Sequence, residues 1–144
     1  DATLLAAAGL CRLGRLDRAT ELLDPKLFPP APAQGAIALE IRDGERRSRE
    51  LVLPLNHAET RLTVTAERAF LRELDGARRT PIGAYSELDG DTLTLYWEIL
   101  SPDGRQSFRG KDYGPAENGN AIGAEIGRRL LVEAGPEFVA LFSA

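Results

Sequence analysis

In Thr92-Leu93-Thr94-Leu95-Tyr96-Trp97-Glu98-Ile99-Leu100, the bulky apolar residues Leu93, Leu95, Trp97 and Ile99 fall at every second position. A β-strand sends successive side chains to opposite faces, so this stretch has one face for a core. Turn sequences bracket it. Leu88-Asp89-Gly90-Asp91 precedes it, and Ser101-Pro102-Asp103-Gly104 follows, with proline at the second position. Residues 81–86 and 105–110 are therefore expected to fold back beside it, giving a three-stranded antiparallel sheet.

Helical patterns flank these strands. Downstream, Asn118-Gly119-Asn120 reads as a helix entry with an Asn cap, and Ile122, Ile126 and Leu130 lie four apart on one face. Gly135-Pro136 ends that helix, and a last short one offers Phe138, Leu141 and Phe142. Upstream, residues 45–74 read as helical with an interruption near Pro54 and Asn56. There Leu62, Ala66, Ala69, Phe70 and Leu74 share an apolar face, and Asp75-Gly76 supplies a stop. The expected fold class is α+β: residues 75–144 form the sheet with helices on one face, and residues 43–74 form a helical connector.

Residues 1–42 differ in character. Leu4 to Leu10 is rich in alanine and leucine, follows Asp1 and Thr3 as candidate caps, and should end as a helix near Gly14. Residues 19–27 read as a short strand or a helical turn. Pro25, Pro29, Pro30 and Pro32 make an extended connector. Residues 35–41, with Ile37, Leu39 and Ile41 alternating, read as a buried strand that ends at the Asp43-Gly44 turn.

The 144 residues are 43% hydrophobic and 28% charged, an ordinary globular composition. A formal charge of −4 argues against a basic nucleic-acid binder. No apolar run approaches the roughly 18 residues of a membrane span, and no signal peptide is visible. One cysteine, Cys11, excludes a disulfide framework, and one histidine, His57, excludes a histidine-rich metal centre. The chain begins at Asp1 and has no methionine, so it reads as the back part of a longer product.

Arginine dominates the cations: Lys26 and Lys111 are the only lysines, while Arg12, Arg15, Arg18, Arg46, Arg47, Arg49, Arg78 and Arg79 fall in clusters. The guanidinium fork pairs bidentately with carboxylate or phosphate, so anion recognition explains the bias, as does arginine-rich codon usage. Arg12 stands at a helix end, where the macrodipole favours a cation with or without a ligand. Cys11 beside it is expected to be buried and inert. His57 reads as part of a helix entry, and no serine elbow accompanies it. Gln34-Gly35 offers a tight backbone approach and an amide, or a plain strand start. Asp75 to Pro81 carries the adjacent Arg78 and Arg79 on a loop between modules.

Several stretches taken in order resemble porphobilinogen deaminase, also called hydroxymethylbilane synthase. They are Leu4 to Leu10 with Arg12-Leu13-Gly14, Pro30 to Ala36, Leu55-Asn56-His57, Thr65 to Leu71, Leu74-Asp75-Gly76, and Pro81-Ile82-Gly83-Ala84. The resemblance covers nearly the whole chain. It implies a three-domain cytoplasmic transferase of haem and tetrapyrrole synthesis that condenses four porphobilinogen molecules on a dipyrromethane cofactor held by a cysteine thioether. Residues 1–42 would then be the end of the second, α/β domain plus a crossing strand. Arg12 would bind pyrrole acetate and propionate groups, and Gln34 and Gly35 would line the same cleft. Porphobilinogen and linear oligopyrroles are the implied ligands. The catalytic aspartate of the family would lie upstream of Asp1, and Arg78 stands where the cofactor cysteine is expected. Dipyrromethane attachment is accordingly not expected, because a guanidinium forms no thioether. The crossing strand would pair with strands of the missing N-terminal domain, so its edge is expected to be exposed or covered by self-association.

Overall fold

The computed structural model describes residues 1–74 and 81–141. Three antiparallel strands, β1 (Ile82–Asp89), β2 (Thr92–Leu100) and β3 (Ser107–Pro115), form one sheet in the order β1-β2-β3. Two helices cover one face of it, α3 (Ala58–Glu73) and α4 (Gly119–Ala140). The α+β reading holds. Gly90-Asp91 makes the β1–β2 hairpin in two residues, with Gly90 at φ +56°, a region glycine enters without steric penalty.

Register explains the core. Ala84 stands opposite Trp97, Ser86 opposite Leu95, and Ile82 opposite Ile99, so the inward face of β2 finds matched neighbours on β1. On β3 the inward positions opposite Ile99, Trp97 and Leu93 are Phe108, Gly110 and Gly114. A Cβ on Gly110 would lie 2.6 Å from the Trp97 ring, and one on Gly114 would lie 2.9 Å from Ile122. These glycines make room for larger neighbours. That is why β3, expected over 105–110, has little apolar alternation of its own yet runs to Pro115.

The face of α3 predicted from Leu62, Ala66, Ala69, Phe70 and Leu74 is the one that packs, with Ala66, Ala69 and Phe70 buried. Helix α4 meets it along Gly119, Gly123 and Gly127. A Cβ on Gly123 would overlap the Ala66 carbonyl oxygen, so these helices approach backbone to backbone. Gly135, at φ 75° and ψ 166°, breaks α4 ahead of Pro136, as its sequence suggested. Asn118 stands at the N-cap of α4, but its side chain makes no capping bond; a 3-10 turn, Ala116–Asn118, leads in instead.

Residues before α3 contribute no buried side chain. Helix α1 (Ala7–Arg12) is shorter than expected and starts at an Ala6 cap. Cys11 is exposed, contrary to expectation, because α1 has no layer to pack against. Asp24 starts a helical turn, with Leu27 and Phe28 N–H groups bonded to its carbonyl, which settles the 19–27 ambiguity for its C-terminal part. The buried crossing strand expected at residues 35–41 is not formed: these residues join no sheet, and Ile37 is 93% exposed. A strand needs a partner, and no strand of the sheet pairs with residues 35–41. Helix α2 (Arg46–Val52) and a 3-10 turn (Leu53–Leu55) then lead to α3.

Candidate functional site

The proline connector is the first element to bring distant residues together. The outer face of the sheet carries Lys26, whose ammonium pairs with Glu87 at 2.8 Å and lies 5.6 Å from the Tyr96 ring centre. Arg109 of β3 donates to the Leu27 carbonyl at 2.7 Å. Proline geometry then carries the chain to the free edge of β1. There the Ala84 N–H donates to the Pro30 carbonyl at 2.8 Å, and Gly83 lies so near Pro29 that a Cβ would come within 2.6 Å of its oxygen. An exposed strand edge invites unwanted pairing, and this strap occupies part of it.

The strap ends in a turn that holds Gln34 and Gly35. The Gln34 N–H bonds to the Ala31 carbonyl and the Ala36 N–H to the Ala33 carbonyl, while Ala33 (φ 62°) and Gly35 (φ 82°) both adopt left-handed backbone. Glu67 of α3 anchors this turn. One carboxylate oxygen accepts the Ala33 N–H at 2.7 Å and the other accepts the Ser86 N–H of β1 at 2.8 Å. Glu67 is only 6% exposed. Burial pushes its carboxyl above the ordinary range, and the two backbone N–H groups oppose that shift by favouring the ionised form. Gln34 and Gly35 themselves are exposed at the tip.

Arg12 is exposed at the C-terminal end of α1. Among the described residues no hydrogen bond or ion pair joins it to Gln34 or Gly35, so the structure brings those two to the folded body without Arg12. Arg78 and Arg79 lie outside the described residues. The segment that carries them connects Leu74, the C-cap of α3, to Pro81, whose carbonyl accepts from the Leu100 N–H at 3.1 Å.

A groove opens beside the turn, between residues 36–39, α2 and the outer face of α3. Arg49, Arg61 and Arg68 line it with His57, Leu39 and Val64, and no carboxylate is among its lining residues. His57 caps α3, its Nδ1 accepting the Thr60 N–H at 3.3 Å and contacting Thr60 Oγ1 at 2.9 Å, as its position at a helix entry suggested. The arrangement suits an anion with an apolar body: three guanidinium groups, and aliphatic walls between them. Among the described residues no three His, Cys, Asp or Glu side chains group to hold a metal ion.

Elsewhere on the body, Arg129 of α4 grips Asp112 of β3 with bonds of 3.0 and 2.7 Å, and Trp97 Nε1 donates a third at 3.1 Å. The Arg129 bonds hold the Asp112 carboxyl below the usual aspartate range; burial opposes this, and Trp97 adds to it. This is a joint between helix and sheet, remote from the Gln34 turn in chemistry and partners.

Residues 61–132 match the family model described as porphobilinogen deaminase, C-terminal domain, and residues 1–50 match porphobilinogen deaminase, dipyromethane cofactor binding domain. The chain belongs to the porphobilinogen deaminase family. A curated porphobilinogen deaminase from Nitrobacter hamburgensis is 45% identical over 143 residues, covering 99% of this chain and 45% of that relative. The chain thus spans about half the length of the relative it matches. No helix among the described residues is long and apolar enough to cross a membrane. The gap between the two matches, residues 51–60, runs from α2 into the first turn of α3, ahead of the first buried residue, Ala66.

Sequence reading singled out Arg12, Gln34, Gly35 and Arg78, and it passed over Glu67, Arg61 and Arg68. A signal for Glu67 was present: it is three residues before Phe70 and seven before Leu74, a carboxylate on the apolar stripe of an amphipathic helix. Arg61 and Arg68 are seven apart, with His57 and Val64 on the same helical side, so their convergence was also readable.

Proposed function

We propose that this chain is the C-terminal portion of a cytoplasmic tetrapyrrole-synthesis protein of the transferase type that condenses four porphobilinogen molecules to hydroxymethylbilane, and that it is inactive, both by truncation and by loss of the attachment cysteine. Residues 1–42 end the second domain, 43–74 lead into the third, and 75–144 form the third domain together with α3, whose Ala66 and Phe70 lie in its core. The observation that carries this reading is the docking of the Gln34–Gly35 turn onto Glu67, in the same module whose α3–β1 junction brackets the position of the cofactor cysteine. In this reading Gln34 and Gly35 line the pyrrole cleft and Arg12 pairs with the acetate and propionate groups of porphobilinogen and linear oligopyrroles. Each pyrrole brings two carboxylates, and a forked cation answers that chemistry.

The residues present do not fit covalent attachment of dipyrromethane. Arg78 occupies the expected thiol position, and Cys11, the one thiol of the chain, belongs to α1 instead. A guanidinium offers no thioether. The exposed Ile37, Leu39 and Leu53 support cover from further segments of a longer protein, or from a second copy.

The parental protein tests this reading. Incubation with porphobilinogen should give neither hydroxymethylbilane nor a pyrrole mass increment on the peptide containing Arg78; turnover or an adduct with Arg78 in place overturns the account of lost chemistry. A second reading, a non-catalytic carboxylate- or tetrapyrrole-binding module, is favoured by the Arg49–Arg61–Arg68 groove. Titration of the chain with a linear tetrapyrrole decides it: binding lost in Arg61→Ala/Arg68→Ala supports the groove, and binding lost only in Arg78→Ala assigns the ligand to the 75–80 segment.

A further inference from the structure

We propose that Glu67 is a positioning residue that sets where Gln34 and Gly35 stand relative to the α3–β1 junction; the role rests on the reading of those two residues as ligand-lining. Packing alone does not require a carboxylate here. Glu67 is 6% exposed in a helix whose other buried residues are Ala66, Ala69 and Phe70, and an apolar side chain of similar size would carry no such desolvation cost. A buried carboxylate persists where its oxygens have work, and both oxygens of Glu67 are committed to backbone N–H groups from different parts of the chain. Ala33 lies 34 residues before it and Ser86 lies 19 after it. One side chain thus fixes the strap, the helix and the edge strand to each other.

The conformation of the turn depends on this bond more than on its own sequence. Ala33 takes φ 62°, a left-handed backbone that costs a non-glycine residue energy and persists only when its surroundings impose it. The imposed contact is the 2.7 Å bond from its own N–H to Glu67, and Gln34 and Gly35 follow immediately. The Pro30–Ala84 bond holds the strap further back, three residues before Ala33, so it does not set the turn.

The informative variant is Glu67→Gln in the parental protein. A carboxamide of the same shape has one acceptor oxygen and an NH₂ group that donates only, so it satisfies the Ala33 or the Ser86 N–H but not both. Amide exchange over residues 31–36 should accelerate by about tenfold or more. The Kd for porphobilinogen, measured by calorimetry, should rise roughly three- to tenfold. Asp112→Asn serves as the control: it weakens the helix–sheet joint, lowers thermal stability, and should leave both readouts unchanged. Glu67→Gln with unaltered exchange at 31–36 overturns the clamp, and faster exchange with an unaltered Kd overturns the positioning role. A parental protein that binds no porphobilinogen defeats the functional reading alone, and the exchange measurement still decides whether Glu67 holds the turn. Should Glu67→Gln fail to fold, Glu67→Asp, which is one methylene too short to reach both donors, is read by the same two measurements.

Discussion

Leu93 and Ile37 are both aliphatic residues on alternating stretches, and they meet opposite fates: Leu93 is fully buried while Ile37 is 93% exposed. The same contrast runs through the chain. Every buried side chain among the described residues lies from Ala66 onward, whereas Leu4, Leu13, Leu22, Leu51 and Leu55 in the first part face solvent. Hydropathy does not separate the two regions; a second layer does. Residues 58–141 supply a sheet and two helices that cover it, so each apolar face has a counterpart. Residues 1–57 supply short helices and a strap whose order comes from hydrogen bonds to the folded body.

The largest effect that would sharpen this contrast is Phe70→Ala. Phe70 is fully buried between α3 and the sheet, 6.2 Å from Trp97 by ring centres, and its truncation should cost about 3–5 kcal/mol in urea unfolding. A loss under about 1 kcal/mol would mean that the body is not packed as described.

An intermediate effect is tied to pH. The folded-state pKa of Asp112 is lowered, chiefly by Arg129, so its contribution is fully present above the ordinary aspartate value of 3.8 and is lost as pH falls through the depressed one. Asp112→Asn should cost about 1–2 kcal/mol at neutral pH and converge on the wild type below that range. Parallel stability curves down to acid denaturation would contradict the joint. Glu67 acts with the opposite sign, its carboxyl being raised by burial, so the comparison is made as a difference between the two proteins.

The smallest effect expected is Ile37→Ala, within about 0.5 kcal/mol, because the side chain leaves water at neither end of the transition. A loss of 2 kcal/mol or more, well above that surface range, would show that residues 35–41 are covered in solution, by a second copy or by another segment.

Most of the folded body was legible in its sequence. The alternation of β2, the Gly90-Asp91 and Pro102-Asp103 turns, the stripe of α3 and the Gly135-Pro136 break each have a local physical cause, and each stands where that cause puts it. Residues 35–41 show the limit of the method. Alternation describes how side chains would face if a strand existed, and it says nothing of whether a partner strand is there to bond. Strand β3 shows the converse: Gly110 and Gly114 face inward because Trp97 and Ile122 occupy the space, a pairing visible only in three dimensions. Of the candidate site, Gln34 and Gly35 follow Ala33, whose N–H bonds to Glu67, Arg12 is joined to neither by a hydrogen bond or ion pair among the described residues, and Arg78 lies outside the described residues. The place of Glu67 on the apolar stripe was readable, but its partners were not. A glutamate in a helix reads as solvated until the donors that surround it are known.

Trp97 is the sole tryptophan of the chain, and Tyr85, Tyr96 and Tyr113 are its only tyrosines. All four belong to the sheet, and the indole is nearly enclosed, against Phe70 and hydrogen-bonded to Asp112. Emission excited at the indole is therefore a private signal of the body. It will shift when α3, α4 and the sheet part company, and it will stay silent if the strap and the first helices rearrange, so light alone can tell the melting of one region from the loosening of the other.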